Sequence, residues 1–192
     1  GVPAAPVPPP APAATDAVTV SAIADVLRSG ARTALLLGGR ALREPGLLAA
    51  ARIAAHCGVQ VFAEVFPTRL ERGAGLPAVE RVAYLAEMAS VQLAGLEHLI
   101  LVDAKAPVSF FAYPGKPSLL VPEGCTVHTL CTPAQDASAC LAQLVQALGA
   151  AQARPTLQTA GRPARPRGAL TAPKVCKAVG HLLPEQAIVI DE

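Results

Sequence analysis

Two short stretches of this 192-residue chain hold the residue types that could do chemistry. The first is Gly38-Gly39-Arg40, which follows directly on the apolar run Thr33-Ala34-Leu35-Leu36-Leu37. Two glycines at a strand end let the backbone turn sharply and come close to a ligand. A helix opening near Glu44-Pro45 would complete a strand, glycine turn and helix, the general plan of an anion cradle built from backbone N–H groups. The spacing is neither G-x-G-x-x-G nor a P-loop. Nucleotide contact at Gly38, Gly39 and Arg40 and a plain turn therefore both stay open. The second stretch is Leu99-Ile100-Leu101-Val102-Asp103, an aliphatic run that stops at an acid. That is the pattern of a strand buried on both faces whose end opens onto a crevice, and Asp103 becomes a candidate for the same ligand. The loop beyond it contains Phe110, Phe111 and Tyr113, half of the chain's six aromatic residues. Such a loop suits either a pocket wall or a plug packed on its own domain.

The other reactive side chains read as structural. His56 sits beside Cys57 at a helix end, where a capping or surface role is expected. Arg69 and Arg72 lie in a turn-rich loop and could face an anion or pair with Glu64, Glu71 or Glu80. The five cysteines (57, 125, 131, 140 and 176) are odd in number and contain no C-x-x-C. They suggest neither a disulfide framework nor a zinc site and are expected to be small, reduced core residues. A cytoplasmic setting follows from that.

Composition narrows the function classes. With 52% apolar residues, mostly Ala, Val and Leu, the chain can fill a core, and an aromatic content of 3% suits helices packed closely on a sheet. A net charge of +2 with 16% charged residues lacks the clustered Lys and Arg of a nucleic-acid footprint. No apolar run has the length of a membrane span, and no secretory leader pattern is visible.

The elements that would position the glycine turn and the acid alternate between helix and strand. Residues 1–16 are Pro-rich and expected to form a polyproline-II-like linker. Val20, Ile23 and Leu27 predict a helix ending at Gly30, followed by a strand over 33–37. A helix over about 45–56 presents Leu47, Leu48, Ala51, Ala54 and Ala55, and 59–63 reads as a second strand. Val79, Val82, Ala86, Ala89, Leu93 and Leu96 predict a long helix over 77–94. Strands follow at 97–103, 118–121 and 125–130, then a helix over 137–148 with Asp136 as its N-cap. Residues 151–169 read as a basic, Pro-rich linker. Residues 170–192 read as a helix and strand opening a further domain. The alternation predicts an α/β domain over 17–150, a Rossmann-like parallel sheet covered by helices on both faces.

Taken together, the runs Ala63 to Pro77 and Pro107-Val108-Ser109-Phe110-Phe111-Ala112-Tyr113-Pro114-Gly115-Lys116-Pro117 resemble the central region of thiamine-diphosphate-dependent enzymes. The similarity is to the acetolactate synthase large-subunit-like branch, near benzoylformate decarboxylase, and extends over about residues 17–192. The resemblance implies a three-domain parent acting on 2-oxo acids, a carboligase (transferase) or a decarboxylase (lyase). This chain would then be the central domain between two linkers, with the start of the diphosphate-binding domain at 170–192. It implies thiamine diphosphate and magnesium held outside this chain, FAD as a further cofactor in some members, and a homo-oligomer. By itself the chain is expected to be inactive. In the benzoylformate decarboxylase type, the loop after the third strand supplies a histidine. Here Phe111, or Phe110 with a one-residue shift, stands at that place, and neither can transfer a proton. The alternatives are a nucleotide-binding module using Gly38, Gly39, Arg40 and Asp103, and a structural domain without catalysis of its own.

Overall fold

The computed structural model describes residues 7–8, 10–112 and 114–190. They fall into two compact units, one reaching Gln158 and one starting at Thr159. In the first unit, helix α1 (Ala17–Arg28) precedes strand β1 (Thr33–Leu37), a 3-10 turn (Gly39–Leu42), helix α2 (Glu44–Cys57) and strand β2 (Gln60–Ala63). Strand β3 (Glu80–Arg81), helix α3 (Ala86–Leu93), strands β4 (His98–Val102) and β5 (Thr126–Cys131) and helix α4 (Ala137–Leu148) follow. The strands form one parallel sheet in the order β3-β2-β1-β4-β5.

Side chains in a strand alternate between faces, so a run apolar at every position needs a core on both sides. β1 meets that demand: Leu35 and Leu37 enter the core under α1, α2 and α4, whereas Ala34 and Leu36 enter the core under α3. In β4, Ile100 and Val102 go to the first core and Leu99 and Leu101 to the second. Asp16 caps α1 by accepting the Thr19 N–H at 2.8 Å, and Asp136 caps α4 through the Ala139 N–H at 3.0 Å. Gly58 and Gly149 end α2 and α4 in the left-handed conformation, the usual helix stop.

Several expectations need correction. The long helix over 77–94 is an edge strand followed by the eight-residue α3. Val79 and Val82 are three apart and would share a helical face, but they pack into the two opposite cores, as odd spacing in an extended chain requires. Gln92 on α3 ties the segment down: its Oε1 accepts from the Ala83 N–H at 2.7 Å, and its Nε2 donates to Glu80 Oε1 and the Arg81 carbonyl. The strand expected over 118–121 is a single antiparallel bridge between Val108 and Leu119, which closes the aromatic loop on itself. Of the cysteines, all free thiols, only Cys131 and Cys140 are buried, and Cys176 is exposed.

The end of the Pro-rich stretch lies on the first unit. The Ala13 N–H donates to the Ala134 carbonyl, and the buried Thr15 hydroxyl donates to the Leu130 carbonyl at 3.1 Å. Residues 151–158, expected in a linker, also adhere to this unit. The Gln158 N–H donates to the Leu76 carbonyl, and the Gly75 N–H to the Gln158 carbonyl, each at 2.9 Å. The second unit holds helix α5 (Ala172–Leu182), none of whose residues is buried within it. No strand forms over the described residues 187–190; an isolated extended segment has no ladder to join.

At the starting end of β4, His98 Nδ1 and His128 Nε2 of β5 lie 3.1 Å apart. One ring must offer an unprotonated nitrogen as acceptor, so the two rings cannot both be cationic without losing the bond. Burial, then the charge of His98, pushes the His128 pKa below its ordinary 6.5. The folded chain thus binds this proton less readily than the unfolded chain. The associated stability is full above the ordinary value and is lost as pH falls through the folded one. Urea midpoints should therefore fall between roughly pH 7 and pH 5, and His128→Gln should flatten that slope; an unchanged slope would contradict the account. Burial, with Cys140 alongside, pushes the Cys131 thiol up to about 12. A thiol reagent should therefore modify Cys176 in the native chain and reach Cys131 and Cys140 only on unfolding, as mass mapping of the labelled cysteines would show.

Candidate functional site

The strand order places β1 between β2 and β4, so the chain leaves β1 on one side and returns to β4 on the other. The crevice beyond the carboxyl ends of two such strands is where open α/β sheets take ligands. The structure brings together there all four residues expected from the sequence, and it adds one. The Gly38 N–H donates to the Val102 carbonyl at 3.0 Å, extending the β1–β4 ladder one step past the strands. The Arg40 N–H donates to Asp103 Oδ2 at 2.7 Å, and the Gly39 N–H to Glu64 Oε1 at 3.1 Å. Glu64 follows β2 directly. An acid at a strand end was the signal that singled out Asp103, and the same signal applied to β2 finds Glu64.

The turn is tightly constrained. Asp103 is 93% shielded from solvent and has φ +53°, unusual for a residue with a side chain. Its N–H is held by the Cys131 carbonyl at 3.0 Å, just where the β4–β5 register jumps by one residue between Leu101↔Thr129 and Val102↔Cys131. Such irregularities re-aim the chain near sites. Gly39 has φ +43°, and a Cβ there would lie 2.7 Å from Asp103 Cγ. Glycine is thus required at position 39 both by conformation and by the close approach of the acid. Burial pushes the Glu64 carboxyl above the ordinary glutamate range; the Asp103 charge adds to the rise and the Gly39 N–H opposes it. The Arg40 guanidinium turns away, donating to the Pro133 carbonyl at 3.2 Å. Arg69 pairs with Glu71 at 3.8 Å, and Arg72 donates to the Val79 carbonyl at 3.5 Å.

The second feature at this end of the sheet is a cluster of four rings. Phe66 follows β2, Tyr84 follows β3, and Phe110 and Phe111 follow β4. Their centroids lie 4.9–5.9 Å apart, mostly edge to face, the favoured aromatic geometry. Phe110 and Phe111 remain 60% and 47% exposed, so the loop is not a buried plug. Beside the rings runs a groove of about 420 Å³, bordered by the Lys116–Glu87 ion pair at 2.9 Å. Phe66 and Tyr84 escaped the sequence reading because they come from separate loops and meet only once the strands are aligned. Tyr113 lies outside the described residues. His56 is exposed at the end of α2. Among the described residues, no three His, Cys, Asp or Glu side chains are grouped so as to hold a metal ion, and no helix is long and apolar enough to cross a membrane.

If Gly39 is fixed by the close approach of Asp103, Gly39→Ala should destabilise the chain by about 2 kcal/mol or more. A urea unfolding curve superimposable on that of the unaltered chain would refute this packing.

Comparison with known proteins adds the following. No family model matches the chain. Over 183 residues, 95% of its length, it is 53% identical to a Mycobacterium tuberculosis protein provisionally named acetolactate synthase large subunit IlvX. The chain spans only 35% of that relative. Among solved structures, the benzoylformate decarboxylase of Polynucleobacter necessarius superimposes with a TM-score of 0.66 at 17% identity, over 97% of this chain and 38% of that one. A protein from Mycobacterium smegmatis, provisionally described as thiamin diphosphate-dependent, superimposes with a TM-score of 0.57 at 18% identity, over 84% and 33%. At such identities the structural matches establish the fold alone, while the sequence match extends across both units. The chain is thus homologous, over nearly all its length, to a region of an acetolactate synthase large-subunit-like protein, and it carries the α/β fold found in thiamin diphosphate-dependent enzymes.

Proposed function

We propose that this chain is the central region of a thiamin diphosphate-dependent enzyme acting on 2-oxo acids, an acetolactate synthase-like carboligase. The observation that carries the reading is the 53% identity over 183 residues to a relative of that name. The decarboxylase alternative draws only on similarity of fold. In this reading the parent is a cytoplasmic homo-oligomer of the transferase class, and the chain alone is inactive. Thiamin diphosphate supplies an electron sink for the carbanion left when a 2-oxo acid loses carbon dioxide. In this reading no catalytic step is assigned to these residues. The coenzyme and its metal belong to other parts of the parent.

The chain's own contribution is positional. The sheet fixes the ends of β2, β3 and β4, and those ends bring Phe66, Tyr84, Phe110 and Phe111 together. An exposed aromatic wall beside a groove suits the apolar part of a small substrate better than proton transfer, which phenyl rings cannot perform.

The test is made on the longer protein that contains this chain. Acetolactate formation from pyruvate should depend on added thiamin diphosphate and magnesium. Activity indifferent to both would end the enzyme assignment, and carbon dioxide release without carbon–carbon bond formation would move it to the decarboxylases. Phe110→Ala is expected to raise KM about tenfold while leaving the coenzyme requirement unchanged. An unaltered KM would remove the aromatic cluster from the substrate site.

A further inference from the structure

The crevice between β1 and β4 has the topology of a dinucleotide site, and FAD is the cofactor that the family resemblance allows there. Its residues do not fit one. A diphosphate at such a crevice needs backbone N–H donors pointing at it and a positive or neutral surround. Between residues 39 and 44 the Ala41 and Arg43 N–H groups are held by the Gly38 and Arg40 carbonyls, and three further N–H groups each have a carboxylate of the same chain as acceptor. Glu64 takes the Gly39 N–H at 3.1 Å, Asp103 the Arg40 N–H at 2.7 Å, and Glu71 the Glu44 N–H at 2.6 Å.

The nearby cations are committed as well. Arg43 and Arg69 pair with Glu71 at 3.7 and 3.8 Å, and the Arg40 side chain is bonded to the Pro133 carbonyl. The missing Cβ of Gly39 leaves no vacancy for a phosphate oxygen, because Asp103 already occupies that space. The near-complete burial of Asp103 and the hold of Cys131 on its N–H oppose its withdrawal.

We infer that Glu64, Asp103 and Glu71 stand where phosphate oxygens would stand and close this crevice to dinucleotides, so that the chain binds no FAD there. The acids act in two ways. They saturate the donors, and they oppose an incoming anion with like charge, which is costly in a partly buried site. The glycine turn is thereby a structural joint between β1 and β4, and its anion-binding capacity is spent internally. This inference goes beyond the proposed activity and does not depend on it, since it concerns only groups within the first unit.

Calorimetric titration of the 192-residue chain with FAD, ADP and inorganic pyrophosphate should show no binding, with the Gly39 and Arg40 amide resonances unmoved in heteronuclear NMR spectra. The double variant Glu64→Ala, Asp103→Gly removes two of the acids and places at 103 a residue at ease with positive φ. It should bind pyrophosphate or ADP at least about tenfold more tightly than the unaltered chain. Binding of any of the three probes by the unaltered chain, with movement of those two amides, would overturn the inference. A double variant that melts cooperatively but gains no affinity would overturn it too. If that variant does not fold, the amide resonances of the unaltered chain decide the matter.

Discussion

The structure depends on the pairing of β1 with β4. Every residue from Ala34 to Leu37 and from Leu99 to Val102 is buried, and the two strands run in register from Thr33↔His98 to Leu37↔Val102. Backbone groups with no access to water must bond to one another, so this ladder cannot slip. A shift of one residue would also exchange the residues facing the two cores. Because the register is fixed, so are the residues just past it. Gly38 bonds back to Val102, and Asp103 is delivered to the N–H of Arg40. The crevice is therefore a product of the core and inherits its rigidity.

The same end of the sheet carries two neighbourhoods of opposite character. Around Gly39 the chain is dense with carboxylates bonded to its own backbone. A few residues away, four rings pack edge to face and leave a large part of their surface exposed. Both arise where loops leave parallel strands, which explains why they lie close together. They differ in what the chain has already satisfied. The polar groups are paired internally, whereas the apolar surface is not, and unburied apolar area of this kind marks a surface prepared for contact.

Much of the sheet could be read from the sequence because β1 from Ala34 and β4 from Leu99 onward are apolar at every position, and no amphipathic helix gives that pattern. α2 and α4 were legible from their spacing and their Gly stops. The region of residues 77–94 was not. Val79, Val82 and Ala86 satisfy helical spacing, and nothing local reveals that Val79 and Val82 serve opposite cores or that Gln92 folds back to hold Glu80 and Arg81. At the crevice, Gly38, Gly39, Arg40 and Asp103 were legible as neighbours. Their relationship was not, because a glycine turn reads the same whether its N–H groups await a ligand or are bonded to acids from distant loops. The ring cluster was half visible, since Phe110 and Phe111 are adjacent in sequence whereas Phe66 and Tyr84 join them only through the tertiary fold.

The two borders of the sheet are unequal. β3 has only two residues, strapped by the Gln92 amide, and so gives a foreign strand little to copy. β5 is six residues long and is the other border. A long bare border is a template for aberrant pairing between molecules. Near the far end of β5 the chain ahead of α1 intervenes, with Thr15 capping the Leu130 carbonyl and Ala13 bonded to Ala134. The segment Ala13–Thr15 is thus a guard rail on that border as well as the approach to α1. Trimming it would leave the groove beside the aromatic rings untouched and make the chain stickier toward its own copies.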